Sequence, residues 1–269
     1  MPQSHASQSA GALPEGQVAL VTGAARGIGR AIALALAGGG FDIAVNDVTL
    51  TPELAGTVAD IEAMGRRAVA VPGNIADLAT HDSMLDAAEA GLGLLTTLVN
   101  NAGVSVLSRG DLLDVGADSY DRCFSINTRG TFFLTQAFAR RLFTRQRAAE
   151  LHHSIVTVSS ANAVAPSISR GEYCMSKTAV SMMSRLFAAR LGNDGIGVYE
   201  IQPGFIETEM TAPAKARYDQ LIDGGLTVIK RWGRPDEVGR IALTLASGLL
   251  PYTSGQIVQA DGGLLSVRY

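Results

Sequence analysis

One segment near the amino end limits the fold more than any other: V-A-L-V-T-G-A-A-R-G-I-G-R-A-I-A-L-A-L-A, from Val18 to Ala37. Val18 to Val21 is a short apolar run with β-branched character, which suits a parallel strand buried on both faces. Gly23, Gly27 and Gly29 form a tight turn, and Ile28, Ile32 and Leu36 then recur at helical spacing. A strand, a glycine turn and a helix amino terminus make a site for a pyrophosphate. Backbone N–H groups and the helix dipole face the anion, and glycine lets the backbone approach closely. A plain strand-to-helix turn would need one glycine rather than three at fixed offsets.

The rest of the chain continues the alternation. Strands are expected at Asp42 to Asn46, Ala68 to Val71, Thr96 to Val99, Ser154 to Ser159, Gly197 to Ile201 and Gln256 to Gln259. Thr51-Pro52-Glu53 supplies an N-cap, a first-turn proline and a first-turn acid, opening a helix that ends at Gly65. Asp77 caps the next helix. One long helix should cover Ser119 to Phe143, another should run from Tyr173 to about Leu191, and a third from Pro235 to about Ala246. This order predicts an α/β fold: a single-domain, Rossmann-type, doubly wound parallel sheet with helices on both faces, over residues 16–269. Residues 1–15 are polar and rich in small side chains, with no basic start before an apolar stretch, and read as a disordered leader. Between Phe205 and Trp232 the periodicity breaks, and a long irregular stretch inside a compact domain is usually functional or disordered.

Four polar residues carry the chemistry. Tyr173 and Lys177 stand four apart in E-Y-C-M-S-K-T-A-V, so they share one helix face. An unperturbed tyrosine titrates near ~10, and bringing it toward ~7 needs roughly 4 kcal/mol. One cation about 4 Å away supplies about that much at an effective dielectric near 20. Tyr-x-x-x-Lys alone is common on amphipathic helices, so its neighbours decide the matter. Ser160 ends the apolar run S-I-V-T-V-S-S, which puts its hydroxyl at the carboxyl end of a buried strand, where open α/β sheets bind ligands.

Together with these residues, Thr22 to Gly29, Asn100-Asn101-Ala102-Gly103, Asn127 and Pro203-Gly204-Phe205-Ile206-Glu207-Thr208 stand in the order seen in short-chain dehydrogenases/reductases. The thirteen-residue step from Ser160 to Tyr173 is also typical. The chain resembles that family from about Gly16 to its end, and within it most resembles the 3-oxoacyl-[acyl-carrier-protein] reductase group. Sugar, polyol and other secondary-alcohol dehydrogenases share the motifs. The resemblance implies interconversion of a ketone and a secondary alcohol with NAD(H) or NADP(H). A non-catalytic cofactor sensor is the reading from another functional class, and such proteins usually lack part of the proton-transfer set.

Roles follow from that resemblance. Gly23, Gly27, Ile28 and Gly29 would hold the pyrophosphate. Asp47, about twenty residues past the turn, would accept hydrogen bonds from the adenosine ribose. Asn74 stands where an aspartate is usual, with Ile75 beside it at the adenine. Asn101, Ala102, Gly103, Pro203, Gly204 and Ile206 would line the cofactor, and Thr208 would reach the nicotinamide carboxamide. Ser160 would polarise the substrate oxygen and Tyr173 would transfer the proton. Lys177 would depress the phenol and bind the nicotinamide ribose, and Asn127 would hold a water. Residues 205–232 would form a substrate lid. Asp47 favours NAD(H), whereas Arg26 could pair with the 2′-phosphate of NADP(H); the acid weighs more.

The substrate is less legible. Asn162, Arg170 and Glu172 fall at the expected mouth of the pocket and favour a small polyhydroxylated or charged ligand. The run Arg140, Arg141, Arg145 and Arg147 favours an acidic carrier protein and hence an acyl thioester. A solvated loop and a solvated helix end would account for either set. The formal net charge of -3 gives no footprint for nucleic acid. Cys123 and Cys174 suggest no disulfide framework, so a reducing cytoplasm is expected. Adjacent His152 and His153 are poorly spaced for chelation, so no metal is assigned. No apolar run is long enough for a membrane span. The family habit implies a dimer or tetramer.

Overall fold

The computed structural model describes residues 15–267. The leader expected over residues 1–15 lies, apart from Glu15, outside the described residues. Seven parallel strands form one sheet: β1 (Val18–Thr22), β2 (Asp42–Asp47), β3 (Ala68–Pro72), β4 (Thr97–Asn100), β5 (His153–Val158), β6 (Ile196–Pro203) and β7 (Ile257–Ala260). Their order is β3-β2-β1-β4-β5-β6-β7. The chain winds outward from β1 in one direction and from β4 in the other, which opens a crevice at the carboxyl ends of these two strands.

The strand residues sort by their period of two. In β1, Ala19 and Val21 enter one apolar cluster with Ile32, Leu36, Phe41, Ile201 and Val238. Val18 and Leu20 enter the other, with Leu85, Leu98, Leu134, Phe138 and Val198. Helices α1 (Gly27–Gly38), α2 (Pro52–Ala63) and α8 (Pro235–Ala246) supply the first layer. Helices α3 (His81–Leu92), α5 (Thr131–Phe143) and α6 (Gly171–Leu191) cover the second.

The helix expected over Ser119 to Phe143 is not one α-helix. α4 (Ala117–Cys123) passes into a π-helical segment, Phe124–Gly130, before α5 begins. At Gly130 an added Cβ would come within 2.4 Å of the Ile75 carbonyl oxygen, so the segment presses directly on the loop after β3. Asp77 caps a short 3₁₀ turn, Leu78–Thr80, rather than α3 itself. The irregular stretch from Phe205 to Trp232 contains a further helix, α7 (Lys215–Asp223). Its ends are tied together: Phe205, Tyr218 and Trp232 form an aromatic trio, the Trp232 indole donates to Asp219 at 2.6 Å, and Ile206 bridges Gly233.

Candidate active site

The cofactor and proton-transfer positions read from the sequence, except those inside helices, lie past the carboxyl ends of strands. The glycine turn follows β1, Asp47 ends β2, Asn74 follows β3, Asn101 follows β4, Ser160 follows β5 and Gly204 follows β6. A parallel sheet places these on one edge.

The glycine turn fits a dinucleotide. A Cβ on Gly29 would lie 2.1 Å from the Gly23 carbonyl oxygen and 2.4 Å from the Asn101 amide nitrogen, so no larger residue packs there. Gly27 adopts φ +57, and its missing side chain faces the Thr208 methyl at 3.7 Å. Thr208 therefore stands over the turn. No side chain caps the amino end of α1, which leaves its N–H groups for an anion. The Asp47 carboxylate is steered by the Val48 amide (2.8 Å) and the Ala25 amide (3.4 Å) at the end of β2.

Several residues play parts other than those expected. Asn101 donates to the Thr22 carbonyl (2.9 Å) and the Gly23 carbonyl (3.1 Å), so its amide holds the glycine turn in place. Thr22, which opens the glycine motif but has no expected role of its own, accepts from the Asn101 and Ala102 amides through its hydroxyl. Asn74 spends its side-chain oxygen on the Ala76 amide at 3.0 Å, and the Ile75 side chain is buried in the core. At Ile75 only the backbone N–H is left to meet a ligand, since the carbonyl accepts from His81 at 2.8 Å. Pro203 is the last residue of β6. Gly204 lets the chain pass Asp261, whose Cα would be 2.7 Å from an added Cβ. The Ile206 side chain is buried. Arg26 pairs with Glu209 at 3.1 Å, both side chains being exposed.

The proton-transfer set is assembled and buried. Ser160, Tyr173, Lys177 and Asn127 are all below one-tenth exposed. The Ser160 hydroxyl hydrogen-bonds to the Tyr173 phenol and accepts from the Asn162 amide at 3.1 Å. Lys177 Nζ donates to the Val158 carbonyl at 3.1 Å and lies 5.9 Å from the Tyr173 ring centroid. Asn127 turns its amide toward the chain: Oδ1 accepts from the Val104 amide (2.8 Å), and Nδ2 donates to the Val104 carbonyl and to Ser176 (both 3.0 Å). Its side chain is thus engaged with the loop after β4 and with α6.

Electrostatics depart from the expectation of a phenol depressed by its lysine. Burial pushes the Tyr173 phenol above its ordinary value; the Ser160 hydrogen bond and the Arg170 charge oppose it. Burial pushes Lys177 down to about 8, opposed by the negative charge of Glu200. Glu200, a lone acid in the apolar run of β6, is fully buried among Ser159, Ser181 and Gln202. The second cation near the phenol is Arg170, whose guanidinium carbon is 5.2 Å from the ring centroid.

Of the three expected substrate residues, Asn162 and Arg170 stay together and Glu172 does not. Arg170 donates to the Asn162 side-chain oxygen. Glu172 is buried, accepting from Ser119 at 2.6 Å on the α4 side, and is neither in the pocket mouth nor solvated. One residue along a helix is a turn of about 100°, so Glu172 and Tyr173 cannot share a face. The arginine run is also corrected. Arg141 pairs with Asp82, Asp86 and Glu89 of α3, Arg145 with Glu89, and Arg147 donates to the Asp194 carbonyl. Arg145 also reaches the Leu95 carbonyl before β4, on the edge of the sheet opposite the site. The charges of Arg141 and Arg145 are thus met by acids of α3, away from the pocket, whereas Arg147 meets a backbone carbonyl and Arg140 is exposed. Among the described residues no group of three or more side chains is placed to hold a metal, and no helix is long and apolar enough to cross a membrane.

Residues 23–265 match a family model described as enoyl-(acyl carrier protein) reductase. Versicolorin reductase 1 of Dothistroma septosporum is 34% identical over 93% of this chain and 96% of its own length. A 3-oxoacyl-[acyl-carrier protein] reductase from Brucella melitensis, solved with NAD, superposes with a TM-score of 0.91 at 38% identity, covering 95% of this chain and 100% of that one. A gluconate 5-dehydrogenase from Burkholderia cenocepacia, solved with NADP and tartrate, gives 0.86 at 30% identity, over 95% and 98% of the two chains.

Proposed function

The chain belongs to the short-chain dehydrogenase/reductase family and is a 3-oxoacyl-reductase-like NAD(P)-dependent oxidoreductase of ketones and secondary alcohols, and we propose that Tyr173 moves the proton. The observation that carries this is the buried phenol, hydrogen-bonded to Ser160 and flanked by Lys177. Ser160 and Tyr173 together hold the substrate oxygen, and both strengthen their hold as negative charge develops on it. In reduction the phenol donates its proton to that oxygen; in oxidation the phenolate removes it. Lys177, while it carries its charge, opposes the effect of burial on the phenol, and it binds the nicotinamide ribose. The bound nicotinamide supplies or accepts the hydride. Asn127 orders the loop after β4 through Val104 and steadies α6 through Ser176. Thr208 and residues 205–232 close over the nicotinamide as a lid.

NAD(H) is the preferred cofactor in this reading. The Asp47 carboxylate would face a 2′-phosphate, and Arg26, the residue able to offset it, is engaged with Glu209. The substrate is a small molecule, in keeping with the ion pairs that occupy Arg141 and Arg145. The enzyme works as a homo-oligomer in the cytoplasm. Supporting this are the exposed Phe133, Met175, Met182 and Leu186 on α5 and α6, and two free cysteines.

Tyr173→Phe tests the assignment. It keeps the ring and removes the donor, so kcat falls by about 10²-fold or more while the cofactor Kd changes little. Lys177→Ala damages both. Retention of more than a tenth of wild-type kcat in Tyr173→Phe would remove Tyr173 from its role.

A further inference from the structure

We propose that Arg170 and Asn162 form a carboxylate-binding pair beside the reacting atoms, so that the substrate is a small ketone or secondary alcohol with a carboxylate close to the reacting carbon. This rests on the placement of Ser160 and Tyr173 described above and names the substrate class of that same site.

The pair is built into the active centre by bonds on every side. Asn162 donates its backbone N–H to Ser160 Oγ at 3.1 Å and its side-chain amide to the Ala165 carbonyl at 2.8 Å. Its remaining oxygen accepts from Arg170. The guanidinium carbon of Arg170 is nearer the Tyr173 ring centroid, at 5.2 Å, than is Lys177 Nζ, at 5.9 Å. Arg170 is thus held over the Tyr173 ring and tied through Asn162 to Ser160.

The charge of Arg170 is not neutralised. No carboxylate pairs with it among the described residues. The acid two positions away, Glu172, bonds Ser119 instead. Arg170 Nε is buried and has no acceptor among the described residues. A buried donor without a partner is costly, and one in a guanidinium more so. A planar fork of N–H groups matches a carboxylate in two parallel bonds. A carboxylate accepting from Nε would meet the orphaned donor, and the carbon chain between carboxylate and ketone then sets which carbon reaches Tyr173. Neither a neutral polyol nor an acyl thioester carries an anion at that distance from its reacting carbon.

The test compares 2-, 3- and 4-oxo acids with their methyl esters, using the full chain and both nicotinamide cofactors. The best acid should exceed its own ester by at least tenfold in kcat/KM, the range expected for a hydrogen bond to a charged group. Arg170→Gln should bring that ratio close to one, and Arg170→Lys should keep part of it. In parallel, malonate is titrated calorimetrically into the NAD⁺-saturated protein. Binding should be measurable for wild type and lost in Arg170→Gln and weakened in Asn162→Ala, with circular dichroism confirming that each variant is folded. Esters turned over as well as acids by wild type, an acid preference surviving in Arg170→Gln, or malonate binding unchanged in that variant would each overturn the proposal. Turnover abolished by Tyr173→Phe with an acid-to-ester ratio of one would refute the anion site and leave the proton-transfer assignment standing. Malonate binding that depends on Arg170, with Tyr173→Phe fully active, would do the reverse.

Discussion

Burial sets the charge states of the two groups that handle the proton. Lys177, pushed down to about 8, carries its charge below that pH and loses it above. Tyr173, pushed up by burial, keeps its phenol proton through neutral pH, where it serves as the donor for reduction. Oxidation needs the phenolate, so it gains as pH rises. Since kcat/KM reports the ionisations of the free enzyme, it should be level for reduction up to about pH 8 and fall above, while oxidation climbs through the alkaline range. Arg170 contributes a positive charge that favours the phenolate. Removing it raises the phenol further, so Arg170→Gln should move the oxidation limb to higher pH. A limb that stays in place, or moves to lower pH, would show that Arg170 does not act on Tyr173. The identity of these residues was legible in the sequence, because a four-residue helical step and a strand end fix their positions. Their ionisation was not, because it depends on how deeply they are buried and on Glu200, whose charge acts on Lys177 from β6.

Between elements, the sequence showed less than within them. The strands and the α2 cap at Thr51, whose side chain accepts from the Leu54 amide at 3.3 Å, rest on local signals. The π-helical segment at Phe124–Gly130 does not. It changes the hydrogen-bond register without a distinctive residue, while the apolar spacing still reads as helix. Arg141 and Arg145 misled for a similar reason: their acids lie on α3, more than fifty residues away in the chain. Arg141→Glu would place a fourth acid among Asp82, Asp86 and Glu89 in a partly buried cluster. Breaking such a pair while adding a like charge should cost about 2–4 kcal/mol, read as a lowered Tm. The kcat/KM for a small ketone should stay within about twofold and show no dependence on salt beyond that of wild type. A loss of kcat/KM that grows with salt, without loss of Tm, would return these arginines to a docking role.

At the scale of the molecule, one sheet edge gathers everything the chemistry uses. The strand order puts the glycine turn of β1 next to the loop after β4, and Asn101 bonds them together. β5 then delivers Ser160, while α6, packed against β6, delivers Tyr173 and Lys177. This arrangement was readable because parallel strands separated by helices leave few topologies, and all their carboxyl ends fall together. The stretch from Phe205 to Trp232 was not, since its order comes from an aromatic trio and the bond between Trp232 and Asp219 rather than from periodicity. The central claim is direct hydride transfer at this edge, with the proton coming through Tyr173. Its most direct measurement is reduction of a ketone substrate with nicotinamide cofactor deuterated at C4, in ordinary water, followed by mass and NMR analysis of the alcohol. The account predicts one deuterium, on the carbinol carbon and in a single configuration, and none gained there when unlabelled cofactor is used in deuterated water. A carbinol hydrogen drawn from solvent, or an alcohol free of deuterium at that carbon when the cofactor carries deuterium on both faces of C4, would contradict it.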